Sequence, residues 1–471
     1  MRAVRPLAPL LLAPLLAVAA PPLRAQRQSP AVPSDSAIRA IIDDRVATKL
    51  ATGIVVGVLD PDGRRRVFAS GASGTARPLD GGSLFEIGSI TKTFTGIVLA
   101  DMVARGEVRL DDPVSKYLPP TVRMPSRSGR EITLLDLATH TSGLPRVPDN
   151  TRSIDTKEYT PELMYAFLSS HTLRRDPGAE FEYSNLGFML LGHALTRRAG
   201  AASYEELVRA RVIDPLGLRD TRVEETPAMR GRLALGHDAG GTVVPNWDYS
   251  PTLGGYGSLR SDADDMLAYL AANLAADLDS TRTTLAPVLH AAHVARRPAP
   301  PHTIGLGWAR MALAGGDTVM WHNGGTGGYK SFVAYVPARR TAVVVLANNS
   351  LPVDDIGLHL AAPELPLHPP SLPAWVTLKA IALPAASLGQ YVGTYTLSPT
   401  FSYVVSREGD QLFFQSSGLT RRPLLAEKAD EFFVRGADVR VSFRRDPSGQ
   451  QVTGLVARVG GVERGLAPKA R

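Results

Sequence analysis

The chain has 471 residues, no cysteine, 44% hydrophobic residues and a formal net charge of +7. The lack of cysteine excludes disulfides, a thiolate nucleophile and a Cys-linked lipid, and the length and apolar content suffice for two or more domains with real cores. The charge is no nucleic-acid signature: residues 1–25 hold three arginines and no acid, 386–471 hold twelve Lys and Arg against eight Asp and Glu, and the body between them is neutral.

Residues 1–25 read as a secretory signal. Arg2 and Arg5 precede an apolar run from Leu7 to Ala20, broken by Pro21 and Pro22, with Ala25 at a plausible cleavage point. The run falls short of the roughly 20 residues that span a bilayer. The expectation is an exported protein, periplasmic or secreted, with no stable membrane span once the signal is removed.

Residues 26–362 form the next unit. Asp35 to Leu50 reads as an amphipathic helix. Gly53 to Asp60 and Arg65 to Gly71 read as strands joined by a Pro61-Asp62-Gly63 turn. A long apolar helix follows from Ser89 to Arg105, stopped by Gly106. About 107–300 is helical with many Pro and Gly loops. Strands return at Gly305–Trp308, Thr318–His322, Lys330–Tyr335 and Thr341–Ala347, and Asp354–Ala362 reads as a closing helix. Strands from both ends of the segment with a helical insertion between them predict an α/β fold. It has a mostly antiparallel sheet flanked by helices, a helical subdomain, and a cleft between the two. Residues 363–385 are a Pro-rich linker. Residues 386–471 alternate apolar and polar, which predicts a small all-β domain, a barrel or a sandwich.

Three short constellations carry chemistry. The first is Ser89-Ile90-Thr91-Lys92 at the helix tip. A turn is about 3.6 residues, so Ser89 and Lys92 share a face. A serine hydroxyl needs a base to take its proton, and a desolvated lysine can be that base. The helix N-terminus presents free N–H groups toward a developing oxyanion. The second is Tyr183-Ser184-Asn185. A phenol of lowered pKa beside a cation can shuttle a proton, and an Asn amide can hold a substrate carbonyl and accept from Lys92. The third is His322-Asn323-Gly324-Gly325, where a strand runs into a glycine-rich turn. Glycines let backbone N–H groups approach a ligand, and His322 can face a carboxylate or join the Tyr183 relay. Each also has a plainer reading: a chance string, a core tyrosine followed by a helix cap, and a hairpin with a surface histidine.

In chain order, Ser89-x-x-Lys92, Tyr183-x-Asn185 and His322-x-Gly324 resemble the motif set of the penicillin-recognising serine hydrolases. These are the class C β-lactamases, the D-alanyl-D-alanine carboxypeptidases and related esterases. Leu110-Asp111-Asp112-Pro113-Val114, the run Ile132 to Pro145, Pro215-Leu216-Gly217-Leu218 and Gly257-Ser258-Leu259-Arg260-Ser261 extend the likeness over about 35–362. The C-terminal part resembles β-barrel modules appended to some members. The resemblance implies that Ser89 is acylated and that Lys92 and Tyr183 move its proton. Asn185 would hold the substrate's side-chain amide, the N–H groups of Ser89 and Gly325 would form the oxyanion hole, and His322 and Asn323 would face the substrate carboxylate beside Gly324. It implies a small-molecule β-lactam or peptidoglycan peptide as substrate, no nucleic acid, and neither metal nor cofactor.

The chain departs from class C β-lactamases at His322 and Asn323, where they usually carry Lys and then Thr or Ser. Histidine is mostly neutral at pH 7 and Asn offers no hydroxyl, so a carboxylesterase on the same site is the near alternative. A cell-wall or β-lactam binding sensor is the alternative of another class. His290-x-x-His293 has metal-like spacing but no evident third ligand. No Gly-x-Ser-x-Gly surrounds Ser89.

Overall fold

The computed structural model describes residues 32–151, 154–369, 378–398, 401–417, 421–434, 438–459 and 462–470. The expected signal at 1–25 and part of the linker lie outside the described residues.

The strands are β1 (Gly53–Leu59), β2 (Arg65–Gly71), β3 (Phe85–Glu86), β4 (Arg260–Ser261), β5 (Arg297–Ala299), β6 (His302–Ile304), β7 (Ala309–Ala312), β8 (Thr318–Gly325), β9 (Lys330–Val336) and β10 (Thr341–Ala347). Eight of them make one antiparallel sheet in the order β2-β1-β10-β9-β8-β7-β6-β5. The strand nearest the N-terminus therefore sits one in from the edge, between β2 and β10, with Ile54 opposite Ala347.

The central strands are continuous apolar runs because both faces are covered. In β1, Ile54, Val56 and Val58 face one core, with the helices Asp35–Ala47 and Asp354–Ala361 over it. Val55 and Leu59 face the larger core, beneath helix Ala263–Leu278 and the helical layer. This is the α/β architecture expected, with helices on both sides of an antiparallel sheet. The first helix ends at Ala47 rather than Leu50.

One segment differs. Gly305–Trp308, expected as a strand, is the loop between β6 and β7. It is drawn off the sheet by bonds to the helical layer: the N–H of Leu306 donates to the carbonyl of Ala292 at 2.8 Å, and that of Gly307 to Ala138 at 3.2 Å. Beneath it runs the helix Thr91–Ala104, buried on every side from Thr91 to Met102. A Cβ at Gly96 would lie 1.9 Å from the carbonyl oxygen of Leu306, so only glycine lets loop and helix meet.

The C-terminal strands are β11 (Gly393–Ser398), β12 (Phe401–Glu408), β13 (Gln411–Ser416), β14 (Arg422–Lys428), β15 (Glu431–Val434), β16 (Val439–Arg445), β17 (Val452–Val459) and β18 (Val462–Pro468). Each pairs with the next, and a bridge between Tyr395 and Lys469 nearly closes the meander into a barrel. Its separate core includes Tyr391, Tyr395, Tyr403, Phe414 and Phe443.

Candidate active site

The small sheet β3–β4 aims the chain at the site. The N–H of Ile87 donates to the carbonyl of Leu259 at 3.0 Å. The backbone turns at Gly88, whose φ of 50° favours glycine, through a short 3-10 turn, Gly88–Ile90, into the helix Thr91–Ala104. Ser89 stands at that tip. The helix's buried hydroxyls are all engaged: Oγ1 of Thr95 donates to the carbonyl of Gly255 at 2.6 Å, and Oη of Tyr269 donates to Oγ1 of Thr93 at 2.8 Å.

Lys92 is fully buried one turn on, with Nζ 2.9 Å from Oγ of Ser89. An Nζ–H also donates to the carbonyl of Tyr256 at 2.6 Å. Burial drives the Lys92 pKa well below its usual value. The Arg146 cation adds to this, and Asp155 opposes it. That shift favours the uncharged, basic form of the amine.

Tyr183 comes from the turn before helix Asn185–Ala199. Ser184, not Asn185, caps that helix: its Oγ accepts from the N–H of Gly187 at 2.8 Å. The Tyr183 ring centroid lies 4.9 Å from Nζ of Lys92 and 4.9 Å from the Arg146 guanidinium. The lowered phenol pKa expected from the sequence is not found. Burial pushes Tyr183 up, outweighing its hydrogen bond with Ser89 and the Arg146 charge. Tyr183 is therefore a neutral phenol at pH 7, able to donate a proton but not to act as a resident phenolate.

Freed from capping, Asn185 lines the cleft. Among the described residues no donor reaches its Oδ1, so the expected bond from Lys92 is not formed and the amide is left for a ligand.

Gly324 lies hard against the segment before Ser89. A Cβ there would fall 2.0 Å from the carbonyl oxygen of Ile87. One built on Gly88 would fall 2.7 Å from the backbone nitrogen of Gly325, so the Ser89 turn and that nitrogen are neighbours.

His322 corrects the expectation of a residue facing a substrate carboxylate. It is 6% exposed, and burial beside Lys92 lowers its pKa to about 3. Its Nδ1 is 2.6 Å from the carbonyl oxygen of Asn323. A carbonyl only accepts, so Nδ1 carries the proton and Nε2 the lone pair. The ring centroid is 6.4 Å from that of Tyr183. Asn323 is exposed, but its Nδ2 donates to Oδ1 of Asp354 at 2.6 Å, away from a free role toward a carboxylate.

Ser89, Tyr183, Asn185, Asn323, Gly324 and Gly325 share one cleft of about 820 Å³, with Lys92 and His322 behind its wall. Sequence reasoning missed Arg146, Asp155, Tyr256, Lys330 and Arg422 on the same cleft, since none sits in a patterned motif. His140, within the run Ile132 to Pro145, also reaches the site. His140 is buried with φ 57°; its Nδ1 accepts the N–H of Ser184 at 3.0 Å, and its ring stacks on Tyr183 at 4.3 Å. The pair His290 and His293 both bond Oδ1 of Asp277, at 2.8 and 2.9 Å, and the buried His293 also bonds Asn273, which makes the cluster a brace between helices Ala263–Leu278 and Ala286–His293.

Residues 38–363 match the family described as Beta-lactamase. The chain belongs to the β-lactamase family. Residues 377–459 match a second family, described as Domain of unknown function (DUF3471). Among β-lactamase family relatives, D-alanyl-D-alanine-carboxypeptidase/endopeptidase AmpH of Escherichia coli K12 is 32% identical over 64% of this chain and 80% of its own. A β-lactamase of the same organism is 30% identical over 64% of this chain and 85% of its own. The crystal structure of a class C β-lactamase from Rhodobacter sphaeroides superposes with a TM-score of 0.60 at 26% identity, over 70% of this chain and 97% of that one. The protein is thus an enzyme, a serine hydrolase of the β-lactamase family.

Proposed function

We propose that this protein is an exported hydrolase that opens β-lactam amides or cleaves D-alanyl-D-alanine peptide bonds through an ester on Ser89. The observation that carries the reading is the buried Lys92 amine, its pKa pushed well down by burial, 2.9 Å from the Ser89 hydroxyl at a helix tip. Neutral Nζ accepts the Ser89 proton as Oγ attacks the carbonyl carbon. The N–H groups of Ser89 and Gly325 hold the oxyanion. The C–N bond then breaks, and the leaving nitrogen takes its proton from Lys92 through the Tyr183 phenol. Asn185 donates its amide to the acyl side chain. Water, deprotonated by the same pair, cleaves the ester and frees the acid. An amine kept basic at structural cost argues against a binding or sensor protein that has lost its chemistry.

The test is intact-protein mass over time after mixing with benzylpenicillin. A lasting penicilloyl adduct, absent from Ser89→Ala, supports slow deacylation as in a peptidase. Penicillin consumed without a lasting adduct supports a β-lactamase. Labelling and hydrolysis that survive in Ser89→Ala would sink the reading.

A carboxylesterase remains the second reading, and the neutral His322 with Asn323 tied to Asp354 favours it. Rates on short p-nitrophenyl esters against D-Ala-D-Ala peptides separate the two. Export rests on residues 1–25. No described helix is long and apolar enough to cross a membrane.

A further inference from the structure

The cleft above Ser89 has a wall that the hydrolase fold does not supply. Phe414 and Ser416 of β13, Arg422 of β14, Val434 of β15, and Val439 of β16 line it from the C-terminal barrel. Arg422 stands directly across the strand pair from Phe414. Its own surface is exposed, yet protein surrounds it inside the cleft closely enough that desolvation lowers its pKa, with Asp155 opposing.

Two more cations face the same space. Lys330 opens β9 opposite Gly325, and a Cβ on Gly325 would lie 2.7 Å from its Nζ, so the ammonium rests beside the nitrogen assigned to the oxyanion. Arg146 lies over the Tyr183 ring. Lys330 senses both: burial is the main cause of its lowered pKa, Asp354 opposes, and Arg422 and Arg146 each push it down further. Against them, Asp155 and Asp438 are the acids on the cleft lining. On the strand itself, His322 is uncharged and Asn323 is engaged, so neither offers a cation.

We infer that the C-terminal β domain completes the substrate site, and that Arg422 joins Lys330 and Arg146 in binding a carboxylate on the acyl donor or its leaving group. The inference rests on the proposed acyl-Ser89 chemistry and deepens it. A domain of no assigned function becomes the specificity wall of the enzyme. The three side chains take over the charge recognition that His322 cannot perform. Two guanidinium groups and an ammonium lining one cleft offer the donors that bind a carboxylate best. Arg422 is a specificity residue here, in reach of the substrate and remote from the proton transfers.

The experiment compares the full-length protein with Arg422→Gln, Arg422→Lys and Arg422→Glu. Acylation by benzylpenicillin is timed by intact mass against acylation by its neutral methyl ester. In parallel, kcat/KM is measured for mono-p-nitrophenyl glutarate, which keeps a free carboxylate, against p-nitrophenyl butyrate. The expected result is a wild-type preference for the charged member of each pair. That preference should fall about tenfold in Arg422→Gln, return in Arg422→Lys and reverse in Arg422→Glu. Thermal melting of each variant checks that the barrel is folded. A preference unchanged in folded Arg422→Gln and Arg422→Glu overturns the inference, as does a wild type indifferent to charge. If esters are hydrolysed and penicillin is untouched, the β-lactam reading fails while the ester pair still judges the carboxylate site. A protein that acylates with none of the four probes fails both.

Discussion

Nζ of Lys92, on a helix buried from Thr91 to Met102, lies 2.9 Å from Oγ of Ser89 in the turn that leads into it. Their i, i+3 spacing brings them together, and burial sets the charge state. Lys92→Met keeps the shape and removes the base. Acylation of Ser89 should slow by about 10²–10⁴-fold, the usual worth of a positioned general base, measured by single-turnover mass spectrometry. Stability should rise, most of all in acid, because an amine that the fold prefers uncharged no longer resists protonation.

The pH dependence follows from the same group. In the folded state Lys92 titrates well below its ordinary value, so acylation rises with pH through that lowered pKa and falls on the acid side. Over the same window the unfolded chain binds more protons than the folded one, so folding stability also rises with pH. His322 adds no limb near neutrality, since its pKa lies at about 3. Its imidazole carbon protons, followed by NMR, should hold one chemical shift from about pH 5 to 8. A His322 titration midpoint near 6.5 would refute its assignment as a neutral ring.

His140 is a positioning residue for Tyr183. Its Nδ1 satisfies the Ser184 N–H, and its ring packs on the phenol. His140→Leu leaves that buried N–H without an acceptor, at about 1–3 kcal/mol. The melting temperature should drop. kcat should fall by roughly tenfold or more with KM little changed, since about an ångström of displacement at a proton-transfer group can cost more than that. A purely structural role would lower stability and leave kcat per folded molecule intact.

Gly96→Ala tests the fit between loop and helix. Alanine would favour the helix by about 1 kcal/mol. The added carbon meets the Leu306 carbonyl oxygen at 1.9 Å, and backbone on both sides has little room to yield. The clash should prevail, with a net loss of about 1–3 kcal/mol as for other overpacked cores. Thermal or urea denaturation reads it directly.

Much of this was legible in the sequence. Strand, turn and helix punctuation foretold β1, β2, the central helix and β8 to β10. The three short motifs named residues that share one cleft. The direction of the Lys92 shift and the neutral His322 agree with the sequence reading, but the Tyr183 phenol goes the opposite way, raised by a burial that no local pattern encodes. Nor were the partners drawn from unpatterned loops legible. Arg146 and Asp155 reach the site from the loops after His140, and Arg422 from a separate domain. The Gly305–Trp308 segment reads as a strand by composition and becomes a loop because its N–H groups bond the helical layer instead.

The sheet order has a consequence for how the protein comes into being. Gly53–Leu59 gains its second neighbour only when Thr341–Ala347 arrives to lie beside it, so Ile54 must wait for Ala347. Until the ribosome has passed that point, β1 has one neighbour, and the platform under the Ser89 helix is open on one side. Such distant pairing is slow to form. The barrel that follows pairs each strand with the next, and its strands can zip up as they emerge. The part made last thus needs only neighbouring strands to form, while the enzyme's catalytic half is finished only after most of the chain has been made.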